Sequence, residues 1–188
     1  MGRWEAGASG RLRAAAMQLY LERGYEQTTV AEIAQRAGLT GRTFFRYFAD
    51  KREVLFEGSH VLQERLVAAV EAAPAQDPPM RTIAAALDAA AGALGENREH
   101  ARRRQSIIHA TAELRERELI KLASLATALA GALHRRGVPE PDASLAAEAG
   151  VVVLRIAYEG WAAADDGPDL IEHMRATLLR LRDVATGR

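Results

Sequence analysis

The 188 residues carry 25 lysines and arginines, 25 aspartates and glutamates, and no cysteine, which excludes disulfides and thiol chemistry. The length suits one sizeable domain, or a small domain fused to a larger one. No positively charged start leads into a hydrophobic signal core and no apolar run approaches a membrane span, so a cytoplasmic location without a membrane partner is expected.

Neutrality hides an asymmetry. From Met1 to Arg52, nine lysines and arginines face five acids, a local +4 that the remainder balances at −4. A modestly basic start on an acidic chain fits one electrostatically specialised face. Abundant alanine, leucine and arginine favour helices, and no stretch alternates convincingly enough for a strand, so the fold class is all-α.

Taken in chain order, residues 1–10 are glycine-rich and expected to fray. A first helix over 11–23 repeats Leu12, Ala15, Ala16, Leu19 and Tyr20 on one face, and Gly24 ends it. Thr29 caps the next helix, with Glu32 completing a capping box and Val30, Ile33, Ala34 and Ala37 facing inward. Gly38 supplies a sharp turn. Thr40 caps a third, short helix on which Phe44 and Phe48 lie one turn apart, and a fourth is expected from near Asp50 through Val70. PAQDPP, at 74–79, breaks the pattern. Helices follow over 80–94, 98–111, 114–136, 144–164 and 168–182.

Two helices joined by a tight turn match the geometry in which the second helix enters the major groove of DNA. In TGRTFFRYF the apolar anchors are Phe44 and Phe48, with Leu39 just before them. The surface left over holds Thr40, Gly41, Arg42, Thr43 and Arg46, with Tyr47 and Lys51 toward the following turn. Arginine pairs with guanine or phosphate, and threonine donates to either or touches a thymine methyl. One such head reads little DNA, so two copies at paired half-sites are expected.

The stretch TTVAEIAQRAGLTGRTFFRYFADKREVL, residues 28–55, closely resembles the TetR/AcrR family of bacterial transcriptional regulators, whose motif runs T-T-v-x-x-I-A-x-x-A-G-v-s-x-x-T-l-Y-x-y-F-x-x-K-x-x-L. The resemblance implies a DNA-binding head over 1–56 and a ligand-binding and dimerisation domain over 57–188. It also implies a supporting helix over 29–37, a recognition helix over 40–48, a backbone approach by Tyr47 and a phosphate contact by Lys51. The DNA-facing set is then Thr29, Thr40, Gly41, Arg42, Thr43, Arg46, Tyr47 and Lys51. Phe45 stands where the family commonly has tyrosine; without the hydroxyl it is assigned to packing.

For the remainder, the resemblance implies an effector pocket and a four-helix bundle made with a second copy. Its last two helices offer Leu145, Val152, Ile156, Leu170, Met174, Leu178 and Leu181 as dimer candidates. The middle helices supply an apolar stock of Leu87, Leu94, Ile107, Ile108, Leu122 and Leu125, with Gln105, His109, Tyr158 and Trp161 adding polar or aromatic selectivity. The middle segment looks like that of actinobacterial members of the family, and some related regulators sense fatty acyl thioesters. This implies a hydrophobic or acyl-CoA-like effector with Arg103 and Arg104 at its charged end.

The implied protein is a homodimeric repressor released from a palindromic operator by a small molecule. The competing reading is a helical homodimeric ligand-binding or scaffold protein without specific DNA binding; the intact series 40–51 argues against it. No HExxH, glycine-rich phosphate loop or nucleophile elbow occurs, and the five histidines are widely separated. No catalytic residue, metal or cofactor is therefore expected.

Overall fold

Caps and glycine turns divide the chain into helices joined by short connections. The computed structural model describes residues 2–187, with side chains from Gly7 onward. In order the elements are α1 (Gly2–Arg23), α2 (Val30–Arg36), α3 (Gly41–Tyr47), a 3₁₀ turn (Glu53–Phe56), α4 (Ser59–Ala72), α5 (Pro79–Leu94), α6 (Arg98–Ala110), α7 (Ala112–Arg135), α8 (Glu140–Ala163) and α9 (Leu170–Thr186). The described residues contain no strand, which makes the fold all-α, and no helix among them is long and apolar enough to cross a membrane.

Two expectations about helix starts are corrected. The first helix does not begin at Arg11 but runs from Gly2, because its early turns are tied down: Ala8 is buried, Ser9 donates to Glu57, and Arg13 pairs with Glu57 at 3.2 Å. The fourth helix does not start near Asp50. There the Asp50 carboxylate accepts from the amides of Arg52 (2.8 Å) and Glu53 (3.2 Å), opening a 3₁₀ turn that buries Val54, Leu55 and Phe56 in succession. Three consecutive buried side chains do not fit one stripe of an α-helix. Gly58, at φ 84°, then redirects the chain into α4.

The contacts fall into two compact units. The first joins Met1–Glu57 with Arg103–Glu118. Its core stacks Leu12, Ala16, Leu19 and Tyr20 of α1 on Ile33, Phe44, Phe48 and the 3₁₀ turn, and Ile107, Ile108 and Leu114 belong to the same cluster. The α6–α7 corner is bound into it by charge as well. Arg104 donates to the Leu55 carbonyl (2.8 Å), lies over the Phe56 ring and pairs with Glu118 (3.3 Å). Arg117 pairs with Glu53 at 2.6 Å and Arg52 with Glu113 at 3.1 Å.

The second unit holds Gly58–Arg102 and Leu119–Arg188. Here α5 packs against α4, α8 and α9, and α8 pairs with α9. A Cβ on Gly150 of α8 would lie 2.6 Å from Ile83 Cγ2 of α5, so glycine permits that close approach. Arginines satisfy carbonyls at helix C-termini, where the helix dipole favours a cation. Arg136 donates to Ala73 O (2.8 Å) and Pro74 O (2.7 Å) beyond α4, and Arg102 to Ala162 O (3.0 Å) and Ala164 O at the end of α8.

Candidate nucleic-acid interface

The α2–α3 pair is rigidly punctuated. Thr29 Oγ1 accepts from the Glu32 amide at 3.3 Å, while Glu32 Oε2 accepts from the Thr29 amide at 2.9 Å. Gly38 takes φ 68° and the Leu39 amide returns to Ala34 O at 2.8 Å, reversing the chain. Thr40 Oγ1 then accepts from the Thr43 amide at 3.2 Å to start α3. Phe44 and Phe48 are both buried, with ring centroids 5.4 Å apart, and fix which side of α3 faces the core.

That burial turns Gly41, Arg42, Phe45 and Arg46 outward or to its margin. Arg42 is exposed and has no hydrogen-bond or ion-pair partner among the described residues. Arg46 donates to the Tyr47 hydroxyl at 2.9 Å, its guanidinium 4.9 Å from that ring's centre. Elsewhere in the head several cations are neutralised: Arg23 by Glu32 (2.6 Å), Arg36 by both oxygens of Glu22 (3.0 and 2.9 Å), and Arg52 by Asp50 (2.6 Å). The local positive charge is therefore partly spent in pairs, and α3 presents its two arginines to solvent.

Those pairs hold the acids ionised. Arg36 hydrogen-bonding depresses Glu22, the Thr29 amide depresses Glu32, and Arg52 hydrogen-bonding depresses Asp50, all below the usual carboxylate range. Beneath them Tyr20 donates to Lys51 O at 2.7 Å, and burial pushes the Tyr20 and Tyr25 phenols above their ordinary range.

Two residues sit differently from expectation. Lys51 Nζ donates to Tyr25 O (2.9 Å) and Thr28 O (3.1 Å) and lies 4.1 Å from the centre of the Tyr25 ring. Two of its three donors thus close the α1–α2 connection, which makes it a positioning residue. Phe45, assigned to packing, is instead 60% exposed and meets Phe44 edge-on at 5.5 Å. The hydroxyls of Thr29, Thr40 and Thr43 are engaged in the caps, with Thr40 Oγ1 and Thr43 Oγ1 3.0 Å apart.

The family model described as bacterial regulatory proteins, tetR family, matches residues 12–57, the segment that builds this head. In that segment the chain is similar to the tetR family of bacterial regulatory proteins. It is 40% identical over 77 residues to the HTH-type transcriptional regulator TcmR of Streptomyces glaucescens, a match spanning 41% of this chain and about a third (34%) of that protein's length. The fold is similar to FadR of Bacillus subtilis, solved with stearoyl-CoA, at TM-score 0.64 and 22% identity over 91% of this chain and 96% of that one. It is also similar to PfmR of Thermus thermophilus, at TM-score 0.51 and 28% identity over 89% of this chain and 94% of that one.

The expected effector residues are distributed over both compact units. Arg103, Arg104, Gln105, Ile108 and His109 belong to the first unit, where Ile108 is core and Arg104 holds Leu55. Leu122, Tyr158 and Trp161 belong to the second, with Trp161 buried in its core beneath Arg98. A different place in the second unit is lined without a polar side chain: an apolar seam among Leu66, Ile83, Leu87, Leu125, Leu129 and Leu154, too tight to admit water. Of the apolar stock read from the sequence, Leu87 and Leu125 lie on it.

The dimer candidates divide as well. Leu145, Val152 and Ile156 are exposed along one stripe of α8. Leu170 and Met174 are corrected to core residues, each 1% exposed, because α9 uses its first two turns to close the bundle. Leu178 and Leu181 are half-buried against that core, while Leu179 and Val184, outside the expected set, are exposed. An apolar stripe is visible in the helical spacing; which residues the bundle consumes depends on contacts distant in sequence.

Proposed function

We propose that the chain is a ligand-responsive transcriptional repressor that binds DNA as a homodimer, each α3 lying in the major groove of one half-site of a palindromic operator. The observation that carries this reading is the outward face of α3, where Arg42 and Arg46 stand on a capped helix whose other side is anchored by Phe44 and Phe48. Arg42, with no internal partner, reads a base edge; Tyr47 and the third donor of Lys51 serve the phosphate backbone. The exposed Leu145, Val152 and Ile156 on α8 support pairing through a second copy.

The effector enters the apolar seam of the helical bundle. The stearoyl-CoA bound by the Bacillus subtilis relative supports an acyl-CoA-like compound as the class to test. Since the seam is closed, binding separates α5, α7 and α8, and the effector stabilises that opened arrangement. Coupling to the head runs along α6 and α7, which pass continuously from one unit into the other, and along α4, which follows the head directly. An effector that favours a spacing of the two heads unlike that of the operator lowers DNA affinity.

The test begins with duplexes enriched by the protein from a random-sequence pool. Paired half-sites should emerge, and Arg42→Ala should cost about 1–3 kcal/mol and relax preference at one position of each half-site. Equal weakening on every sequence would remove the base-reading role. Acyl-CoA of graded chain length should raise the thermal midpoint and release the duplex; no change in either would remove the effector assignment.

A further inference from the structure

The outward face of α3 carries one group that the charge-based account leaves without a role. Phe45 is a large apolar side chain on that face, 60% exposed, on a seven-residue helix. Its ring stands at 83° to Phe44, centroids 5.5 Å apart, so a buried neighbour supports it from one side and its remaining surface is open. It lies three residues after Arg42 and next to Arg46, which places it on the patch that those two arginines mark as the nucleic-acid face.

We infer that Phe45 is a specificity-determining residue that reads the C5-methyl group of thymine in the major groove, and the inference rests on the DNA-binding role proposed above. A phenyl ring has no hydrogen-bond donor or acceptor, so it reads neither phosphate nor the polar edges of the bases. The apolar feature that unmodified B-DNA offers in its major groove is the thymine methyl. Contact there removes both apolar surfaces from water. Insertion of an aromatic wedge between base steps is a minor-groove device and does not suit a helix in the major groove. Arg42 and Phe45 together then read a guanine and a thymine close to one another in the half-site, one by hydrogen bonds and the other by apolar contact.

The experiment uses the full-length protein and the duplex it enriches from a random-sequence pool, with each thymine of a half-site replaced in turn by deoxyuridine, which deletes only the methyl group. Binding is followed by fluorescence anisotropy for the wild type, Phe45→Ala and Phe45→Tyr. One thymine position should weaken wild-type binding about four-fold when demethylated, the worth of one buried methyl group. Phe45→Ala should bind the thymine duplex more weakly and be indifferent to deoxyuridine at that position, while Phe45→Tyr keeps the methyl dependence. The thermal midpoint of Phe45→Ala should match the wild type, since the side chain is exposed. If the wild type binds its selected duplex with no methyl dependence at any position, or Phe45→Ala retains that dependence, the inference is overturned and DNA binding stands. If no duplex is enriched at all, the underlying DNA-binding role is what fails.

Discussion

Lys51 combines three short-range interactions at one connection: two carbonyls accept from its ammonium and the Tyr25 ring lies under it. Removing the ammonium takes its donor from the Thr28 carbonyl and leaves the Tyr25 carbonyl with the Thr28 amide at 3.2 Å. Lys51→Met should therefore destabilise the protein by about 1–3 kcal/mol, read as a lower midpoint in chemical denaturation, along with weaker DNA binding on every sequence. Full stability with reduced affinity would instead assign Lys51 to phosphate alone. Asp50 shows the complementary case. Its folded-state pKa lies below the unfolded value because Arg52 hydrogen-bonds the ionised form. Its contribution is then present above the unfolded carboxylate pKa of about 3.9 and fades as pH falls through the lower folded value. Asp50→Asn should flatten that acid limb of the stability–pH profile; an unchanged limb would show that Asp50 does not contribute to it.

At the scale of elements, short-range signals were the legible ones. The Thr29–Glu32 capping box, the Gly38 turn, the Thr40 cap and the Phe44/Phe48 anchor all depend on residues within one or two turns, and each forms. Phe45 was also within reach: on a helix it points about 100° from Phe44, away from the anchored side. The start of α4 was hidden because Gly58 adopts a left-handed conformation that helix propensity does not register. That 103–118 packs with the head was hidden for another reason, since its partners at Glu53, Leu55 and Phe56 lie about fifty or more residues away. The α5–α8 contact is likewise non-local and makes its own prediction. A methyl on Gly150 would overlap Ile83 Cγ2, so Gly150→Ala should cost about 1–3 kcal/mol through overpacking. An unchanged denaturation midpoint would mean that the α5–α8 approach relaxes without cost.

For the whole molecule, a net charge of zero conceals a head in which α3 turns two arginines without acidic partners outward and a bundle in which α8 exposes an apolar stripe. In the function proposed above these surfaces take different partners, DNA for the first and a second copy for the other. Placing charge on the α8 stripe with Leu145→Glu and Ile156→Glu should convert a dimer to a monomer in sedimentation equilibrium and weaken binding to paired half-sites far more than to a single one. A variant that stays dimeric would move the interface elsewhere. The central claim, that the α3 face binds DNA, is tested most directly by the salt dependence of affinity for a selected duplex, comparing the wild type with the Arg42→Ala, Arg46→Ala double variant. The wild type should show sequence-selective binding that weakens steeply with salt, and the variant both a lower affinity and a shallower salt slope. Equal affinities and equal slopes for the two proteins would contradict it.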